Sequence, residues 1–271
     1  MIRLEDNHED IIAKAMRGKS ISKSSIAESV NIERSAIERI LKGEVLEDVI
    51  IRIAPVLGLD SEKLLISSRK EWSPKPIALT GVKRFESDFG EMSVNSYVVF
   101  DHDSKKALIF DTGTNCNSLV SFIEEDGLKV DSILLTHTHR DHIYCLGQLR
   151  SHFPGADIFV HKSEQLLGTI PIEENFRLRV GAIQLNALHT HGHSVGGLTY
   201  LMDGLPCPVA IVGDALFVGS MGGGMVSYAD ALETNREKIM TLPDHCVICP
   251  GHGPMSTIGE EKKYNPFFPE F

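Results

Sequence analysis

The sequence predicts a protein in two parts, a small all-α segment followed by a larger domain that mixes strands and helices. Up to about residue 68, apolar residues recur at helical spacing and no stretch has a convincing strand pattern. A polar linker with two prolines follows, SSRKEWSPKP. From Ile77 onward, short apolar strands alternate with helical segments. We therefore expect a helical domain at residues 1–68, a linker at 69–76 and a mixed domain at 77–271.

The composition is that of an ordinary globular protein. Of 271 residues, 42% are apolar and 24% are charged, and no apolar run is long enough to cross a membrane. The amino terminus lacks the apolar core of a signal peptide, and the five cysteines are odd in number and scattered. We therefore expect a cytoplasmic protein with reduced thiols and no membrane partner. The net charge of −10 argues against nonspecific nucleic-acid binding by the whole molecule.

The all-α segment divides into several predicted helices. Gly18 is a suitable stop for the first helix, and Ser22 is a suitable cap for the second. Asn31 tolerates the left-handed backbone of a tight turn, which separates the second helix from the third. The apolar pattern predicts the helices at about 8–17, at about 23–30, up to about 42, at about 46–57 and at about 61–67.

Part of this segment resembles a known DNA-binding unit. The run SISKSSIAESVNIERSAIERILKGE, with the trailing LEDVIIRIAPVLGLDSEKLL, is similar to the helix-turn-helix of the phage-repressor (Cro/CI, XRE-type) family. The resemblance implies that the start of the third helix enters the major groove of DNA. The side chains that it implies would face the bases are Glu33, Arg34, Ser35 and Arg39.

The charge of the helical segment leaves a second interpretation open. Residues 1–70 hold 12 Lys and Arg and 12 Asp and Glu, whereas DNA binding normally requires several phosphate-neutralising cations. In addition, Asn31 stands where glycine is usual in the turn, and Glu33 where a small capping residue is usual. The alternative is a helical appendage that forms a homodimer or covers the neighbouring domain.

Three histidines and one aspartate crowd into six residues of the mixed domain. The stretch ILLTHTHRDHIYCLG begins with a short apolar run that predicts a buried strand, and the four polar groups follow at residues 137–142. Four such groups on a buried strand would be badly unsatisfied, so we expect a loop in which they converge. Imidazole and carboxylate groups are ligands suited to zinc and iron. A helix cap would explain Asp141 but not the three histidines.

Three further side chains of the same types each follow an apolar strand. His193 lies in LHTHGHSVGGL, Asp214 ends PVAIVGD, and His252 follows CVIC in PGHGP. Ligand sites commonly collect at strand ends, so we expect these loops to meet the first one and hold metal. Asp111, which ends KALIFD, is expected to support the ligands and not to bind metal itself.

Together the motifs HTHRDH, GHS, VGDALF and PGHGP resemble the successive motifs of the metallo-β-lactamase superfamily, over about residues 77–271. The resemblance implies the metallo-β-lactamase fold, an α+β domain with αββα layers in which two sheets pack as a sandwich between helices. It also implies two divalent metal ions, zinc first, with iron or manganese as alternatives. The implied ligands are His137, His139 and His193 for one ion, Asp141, His142 and His252 for the other, and Asp214 for both. Asp141 and Asp214 are also the candidate catalytic residues.

The carboxyl-terminal motifs narrow the resemblance. GDALFVGS and PGHGPMSTIGEEKKYNPFF are similar to the glyoxalase II (hydroxyacylglutathione hydrolase) branch. This similarity implies hydrolysis of a small thioester or related acyl substrate by a metal-bridging hydroxide. The segment MGGGMVSYADAL replaces the Gly-Arg-Thr-Asp-like sequence usual in that branch, so we expect a glycine-rich, uncharged pocket edge.

Two other functions remain open from the sequence. An iron persulfide dioxygenase shares this scaffold and would hold a single iron through His137, His193 and Asp214. A metabolite-responsive regulator would combine a sensing metal domain with DNA binding by the amino-terminal helices.

Overall fold

Five helices form the amino-terminal part of the computed structural model, which describes residues 2–90 and 92–271. They are α1 (His8–Gly18), α2 (Lys23–Ser29), α3 (Arg34–Ile40), α4 (Glu47–Leu57) and α5 (Ser61–Arg69). The Ser22 hydroxyl accepts the backbone N–H of Ser25 at 3.0 Å and so caps α2. Asn31 has a φ of 51°, the left-handed conformation expected of the turn before α3. The helices therefore lie within about three residues of their predicted positions.

Two six-stranded sheets form most of the rest. The first contains, side by side in chain order, β1 (Val82–Phe89), β2 (Met92–Phe100), β3 (Lys106–Phe110), β4 (Lys129–Leu134), β5 (Asp157–His161) and β6 (Ile170–Ile172). The second contains, again in chain order, β7 (Arg177–Val180), β8 (Ile183–His189), β9 (Leu198–Asp203), β10 (Val209–Gly213), β11 (Val247–Pro250) and β12 (Ser256–Thr257). Strands β3 to β6 run parallel, whereas β7 to β10 run antiparallel.

The two sheets pack face to face and are flanked by helices. Alternate residues of a strand point to opposite faces, so Leu108 and Phe110 join the core between the sheets while Ile109 packs outward. Tyr200 and Ile211 of the second sheet complete the inner core. The flanking helices are α6 (Asn117–Glu125), α7 (Arg140–Ile143), α8 (Leu146–His152), α9 (Tyr228–Thr234), which continues as a π-helical turn at Asn235–Ile239, and α10 (Ile258–Tyr264).

The amino-terminal helices share a hydrophobic core with the second sheet. Ile53 of α4 is fully buried in the same apolar cluster as Val212 and Ile248, which point outward from β10 and β11. The ammonium group of Lys63 on α5 donates to the backbone carbonyl of Phe268 at 2.8 Å, so the carboxyl-terminal segment is also bound to these helices. Burial of this apolar surface stabilises the contact between the two parts of the chain.

Four strands direct their carboxyl ends toward one edge of the sandwich. Strands β8, β10 and β11 point the same way within the second sheet. At the end of β4, the carbonyl of Thr136 accepts the N–H of Leu198, and the carbonyl of Leu135 accepts the Tyr200 hydroxyl, each at 2.8 Å. These bonds hold the loop after β4 against the second sheet, at the edge where the other three loops emerge. Among the described residues, none of the helices combines the length and apolarity needed to cross a membrane.

Candidate metal centre

The loop after β4 is shaped by one buried carboxylate. Asp111, at the end of β3, accepts the Thr136 N–H and hydroxyl, each at 2.7 Å. The same side chain contacts Nδ1 of His142 at 2.8 Å. Helix α7 begins at Arg140, inside the HTHRDH motif. Asp141 and His142 therefore lie on the first turn of this helix, directly after the loop. Asp111 therefore supports the loop in the way expected from the sequence.

All seven side chains that the resemblance implied as ligands lie together at the sandwich edge. Within each of two groups, one potential ligand atom per residue lies within 4.8 Å of all the others. In the first group, His137 and Asp214 are buried, His193 is partly buried and His139 is exposed, whereas the second group is buried throughout. The members are His137, His139, His193 and Asp214 in the first group and Asp141, His142 and His252 in the second.

Asp214 belongs to the first group and also contacts the second. Its Oδ2 is 3.4 Å from Nε2 of His193 in the first group. The same atom is 3.4 Å from Nε2 of His252 in the second group, and Oδ1 is 3.4 Å from Nε2 of His142. Asp141 contacts His252 from the other side, with Oδ2 and Nε2 3.3 Å apart. One carboxylate thus contacts histidines of both groups.

The imidazole rings are oriented by hydrogen bonds on their far side. Nδ1 of His193 donates to the carbonyl of Gly223 at 2.9 Å, and Nδ1 of His252 donates to the carbonyl of Ser93 at 2.6 Å. Nδ1 of His142 is engaged by Asp111. Each of these rings therefore turns its Nε2 to the centre, the arrangement commonly found around metal-ligating histidines.

Several polar atoms at the centre fit a metal and little else. Among the described residues, the buried atoms without a hydrogen-bond partner include Nε2 of His137, Nε2 of His142 and Oδ1 of Asp214. Buried polar atoms are costly unless satisfied, and all three point into the same space. A Cβ at Gly251 would lie only 2.2 Å from Oδ1 of Asp214, so glycine is needed before His252. The donor set therefore fits one or two divalent ions.

The histidines of the two groups differ in the direction of their pKa shifts. Burial lowers the pKa of His137 well below its ordinary value, and burial likewise lowers the pKa of His193. Burial opposes protonation of His142 and His252 too, but Asp214, helped by Asp111 at His142 and by Asp141 at His252, outweighs it and raises their pKa values to about 10 and about 11. Burial would raise the pKa of Asp214, yet these two imidazoles hold it well below its ordinary value. A metal ion must therefore displace protons from His142 and His252 but not from His137 or His193.

Two clefts are lined by residues that adjoin the ligand candidates in sequence, such as Arg140 and Gly253, but by none of the candidates themselves. Their volumes are about 840 Å³ and about 450 Å³, which is the size range of small-molecule sites. Both clefts lie beside the hairpin of β1 and β2, and each has acidic, basic and apolar side chains in its wall. Residues lining the larger cleft include Arg84, Asp88, Phe89, Arg140 and Tyr144, and those lining the smaller include Glu5, Ser93 and Gly253.

Sequence reasoning missed Glu164, which links two of the ligand loops. Its carboxylate accepts the N–H of Thr138 at 2.7 Å and the N–H of Gly196 at 2.8 Å. Thr138 lies between two histidines of the first loop, and Gly196 lies three residues after His193. Glu164 ends a short 3₁₀ turn after β5 and belongs to no motif, so nothing in the sequence marked it.

Two of the residues predicted to contact DNA, Arg34 and Arg39, are paired with nearby glutamates. Arg34, at the start of α3, contacts Glu38 at 3.0 Å. Arg39 pairs with Glu44, and Ser35 is exposed between them. These two arginines are therefore neutralised locally, and their role in DNA binding stays a prediction.

Comparisons with known proteins agree with the architecture. The model of a family described as the metallo-beta-lactamase superfamily matches residues 89–252. The probable metallo-hydrolase YqgX of Bacillus subtilis is 31% identical over 67% of this chain and 95% of its own length. The hydroxyacylglutathione hydrolase GloC of Haemophilus influenzae is also 31% identical, over 64% of this chain and 92% of its own length.

A solved structure gives the same result in three dimensions. The crystal structure of BLEG-1, a B3 metallo-beta-lactamase, is similar with a TM-score of 0.58 and 29% sequence identity. The similarity covers 68% of this chain and 99% of that one. The predicted sandwich fold is therefore confirmed, whereas the helices before residue 70 lie outside the part matched by the family model.

Proposed function

The chain belongs to the metallo-beta-lactamase superfamily, and we propose that it is a binuclear metal-dependent hydrolase of a small thioester or related acyl compound. The observation that carries the binuclear part is the position of Asp214. Its two carboxylate oxygens contact His193 on one side and His142 and His252 on the other. The second group, formed by Asp141, His142 and His252, is buried and would hold the second ion.

The chemistry divides between the ions and the side chains. Two bound divalent ions, zinc or alternatively iron or manganese, would polarise the acyl carbonyl and lower the pKa of water. Asp214 stays ionised in its buried position and keeps the ligand groups together. Burial would raise the pKa of Asp141, but its hydrogen bond to His252 lowers it below the ordinary value. Asp141 is therefore an ionised carboxylate able to orient a water molecule for attack on the carbonyl.

The acyl-thioester class is supported by the relatives and by the tail of the sequence. GloC, a 31% identical relative, is a hydroxyacylglutathione hydrolase. In addition, the stretch PGHGPMSTIGEEKKYNPFF, which includes His252, is similar to the glyoxalase II branch. A thiolate is a good leaving group, so the polarised carbonyl and the attacking water suffice without a side-chain nucleophile.

A hydrolysis panel tests the proposed reaction. The zinc-loaded protein is incubated with S-lactoylglutathione, short-chain acyl thioesters and a chromogenic cephalosporin, and released thiol or opened lactam is followed by absorbance. We expect turnover of at least one thioester, and loss of that turnover in Asp141→Asn. Turnover of the cephalosporin alone, or oxygen consumption with a glutathione persulfide on a single iron, would contradict the proposal.

A further inference from the structure

Two buried side chains of the amino-terminal segment contact the loop behind the metal centre. Asp6 precedes α1, and Lys14 lies on α1, one turn and a half along. The carboxylate of Asp6 accepts both the Lys14 ammonium and the Ser220 hydroxyl, the latter at 2.6 Å. The same ammonium donates to the carbonyl of Met221 at 2.8 Å. Both side chains are nearly buried, with 9% of Asp6 and 13% of Lys14 exposed.

The loop that they contact, residues 219–225, is here called the glycine loop. Its carbonyl at Gly223 accepts Nδ1 of His193, which orients that ring toward the centre. A Cβ at Gly222 would lie 1.8 Å from the backbone oxygen of Asp214, so the loop backbone rests directly on this residue. Met221 precedes Gly222, and its carbonyl is the one bound by Lys14. A shift of that carbonyl would therefore move the groups that position both His193 and Asp214.

Lys14 also reaches the second ligand group by another route. Its ammonium lies 4.8 Å from the centre of the Phe217 ring, within the range of a cation–π contact. The Phe217 ring in turn packs edge-on against His252, with ring centres 5.6 Å apart. The Lys14 ammonium thus contacts the glycine loop, which adjoins the first ligand group, and Phe217, which packs against the second.

We propose that Asp6 and Lys14 are positioning residues of the metal centre, through which the amino-terminal helices form a built-in part of the catalytic unit. The inference rests on the metal centre of the proposed function but not on the identity of its substrate. It assigns the helical segment a role that its paired arginines on α3 do not provide. A simpler role for this pair is to stabilise the contact between the amino-terminal helices and the rest of the chain. The test must distinguish this role from positioning of the metal centre.

The test compares three variants in the full-length chain. Lys14→Met removes the ammonium but keeps an apolar stem on Phe217. Asp6→Asn combined with Lys14→Met removes both charges, so that no carboxylate is left buried and unpaired. Arg52→Met is the control for loss of a cation–carbonyl contact elsewhere, because Arg52 is exposed and donates to the carbonyl of Val30 within the helical segment.

Two readouts need no substrate and therefore stand even if the thioester reaction is wrong. Zinc affinity is measured by competition with a chromophoric chelator, and the tautomers and shifts of the histidine rings are followed in ¹H–¹⁵N spectra of the zinc-loaded protein. The double variant is expected to fold, to bind zinc about 10- to 100-fold more weakly and to show displaced His193 signals. Arg52→Met is expected to match the wild type in both.

The results distinguish a role of Asp6 and Lys14 in positioning the metal centre from a purely structural role. If the thermal midpoint falls in Lys14→Met and in the double variant while zinc affinity and His193 signals stay at wild-type values, the pair is only structural and the proposal is wrong. If Lys14→Met alone does not fold, the double variant gives the same decision. Weaker zinc binding in Arg52→Met to the same degree would also overturn it.

Discussion

The strand-end loops and the exposed face of α3 both concentrate polar side chains, but they satisfy them in different ways. At the strand ends, imidazole and carboxylate groups converge, and buried atoms such as Nε2 of His137 are left without a partner among the described residues. On α3, Arg34 and Arg39 are satisfied by glutamates close by in the chain. A polar cluster that cannot satisfy itself indicates a ligand, whereas one that pairs internally does not.

Among the changes considered, removal of Asp214 is expected to have the largest effect on metal content and activity. Asp214→Ala deletes the carboxylate that touches both ligand groups, so both metal ions and the hydrolytic activity should be lost. We expect a fall in activity larger than the roughly 100-fold that follows loss of a supporting residue. Elemental analysis and a thioester assay measure the two effects. A variant with full metal content and normal turnover would show that the ligand assignment is wrong at its centre.

Lowering the pH should weaken metal binding at the second ligand group more than at the first. His142 and His252 have pKa values raised to about 10 and about 11, so both carry protons at neutral pH that the second ion must displace. If both protons leave, affinity at this group should fall by about 100-fold per pH unit as the pH is lowered. The first group, in which burial lowers the pKa of His137 and of His193, should change much less.

Zinc titration calorimetry in buffers of different ionisation enthalpy measures this difference. The number of protons released should be near zero for one binding step and about two for the other. Equal proton release in both steps would contradict the separation of the groups.

Asp111→Asn should have a smaller effect than loss of a ligand. The amide keeps the shape of the side chain but removes the charge that faces His142 and weakens its hold on Thr136. We expect zinc affinity to fall by about 10- to 100-fold with little change in fold. Chelator competition checks the affinity, and circular dichroism provides the control for folding. An unchanged zinc affinity would mean that the His142 ring needs no support from Asp111.

Changes on the exposed face of α3 should have the smallest effect. A double variant, Arg34→Ala with Arg39→Ala, removes two surface cations whose ion-pair partners in the described part of the chain are Glu38 and Glu44. We expect unchanged metal content and unchanged turnover, because neither arginine contacts the sandwich loops. A loss of activity in this variant would mean that the α3 face takes part in catalysis after all.

Several of the candidate ligands could be placed from the sequence because they lie close to the ends of apolar strands, and their role as ligands stays a prediction. His137, Asp214 and His252 could be placed at strand ends without knowing how the strands pair. The parallel and antiparallel order of the sheets then brings those ends to one edge. Local pattern was sufficient here because the chemistry is concentrated in short motifs.

Other features depended on contacts between distant parts of the chain. Strand β1 was not predicted, because VKRFESDF is a largely exposed edge strand with many polar residues. Glu164, Asp6 and Lys14 act on loops far away in sequence and belong to no motif. The helical period identified the apolar face of α4 but could not show that the second sheet shares its core.

The most direct test of the binuclear centre is the metal content of the protein purified without chelators, measured by elemental analysis as atoms per chain. The contacts of Asp214 with histidines of both ligand groups predict about two divalent ions per chain, zinc or a mixture with iron or manganese. About one iron per chain, with no second ion taken up on addition of zinc, would contradict this account and favour a mononuclear iron enzyme.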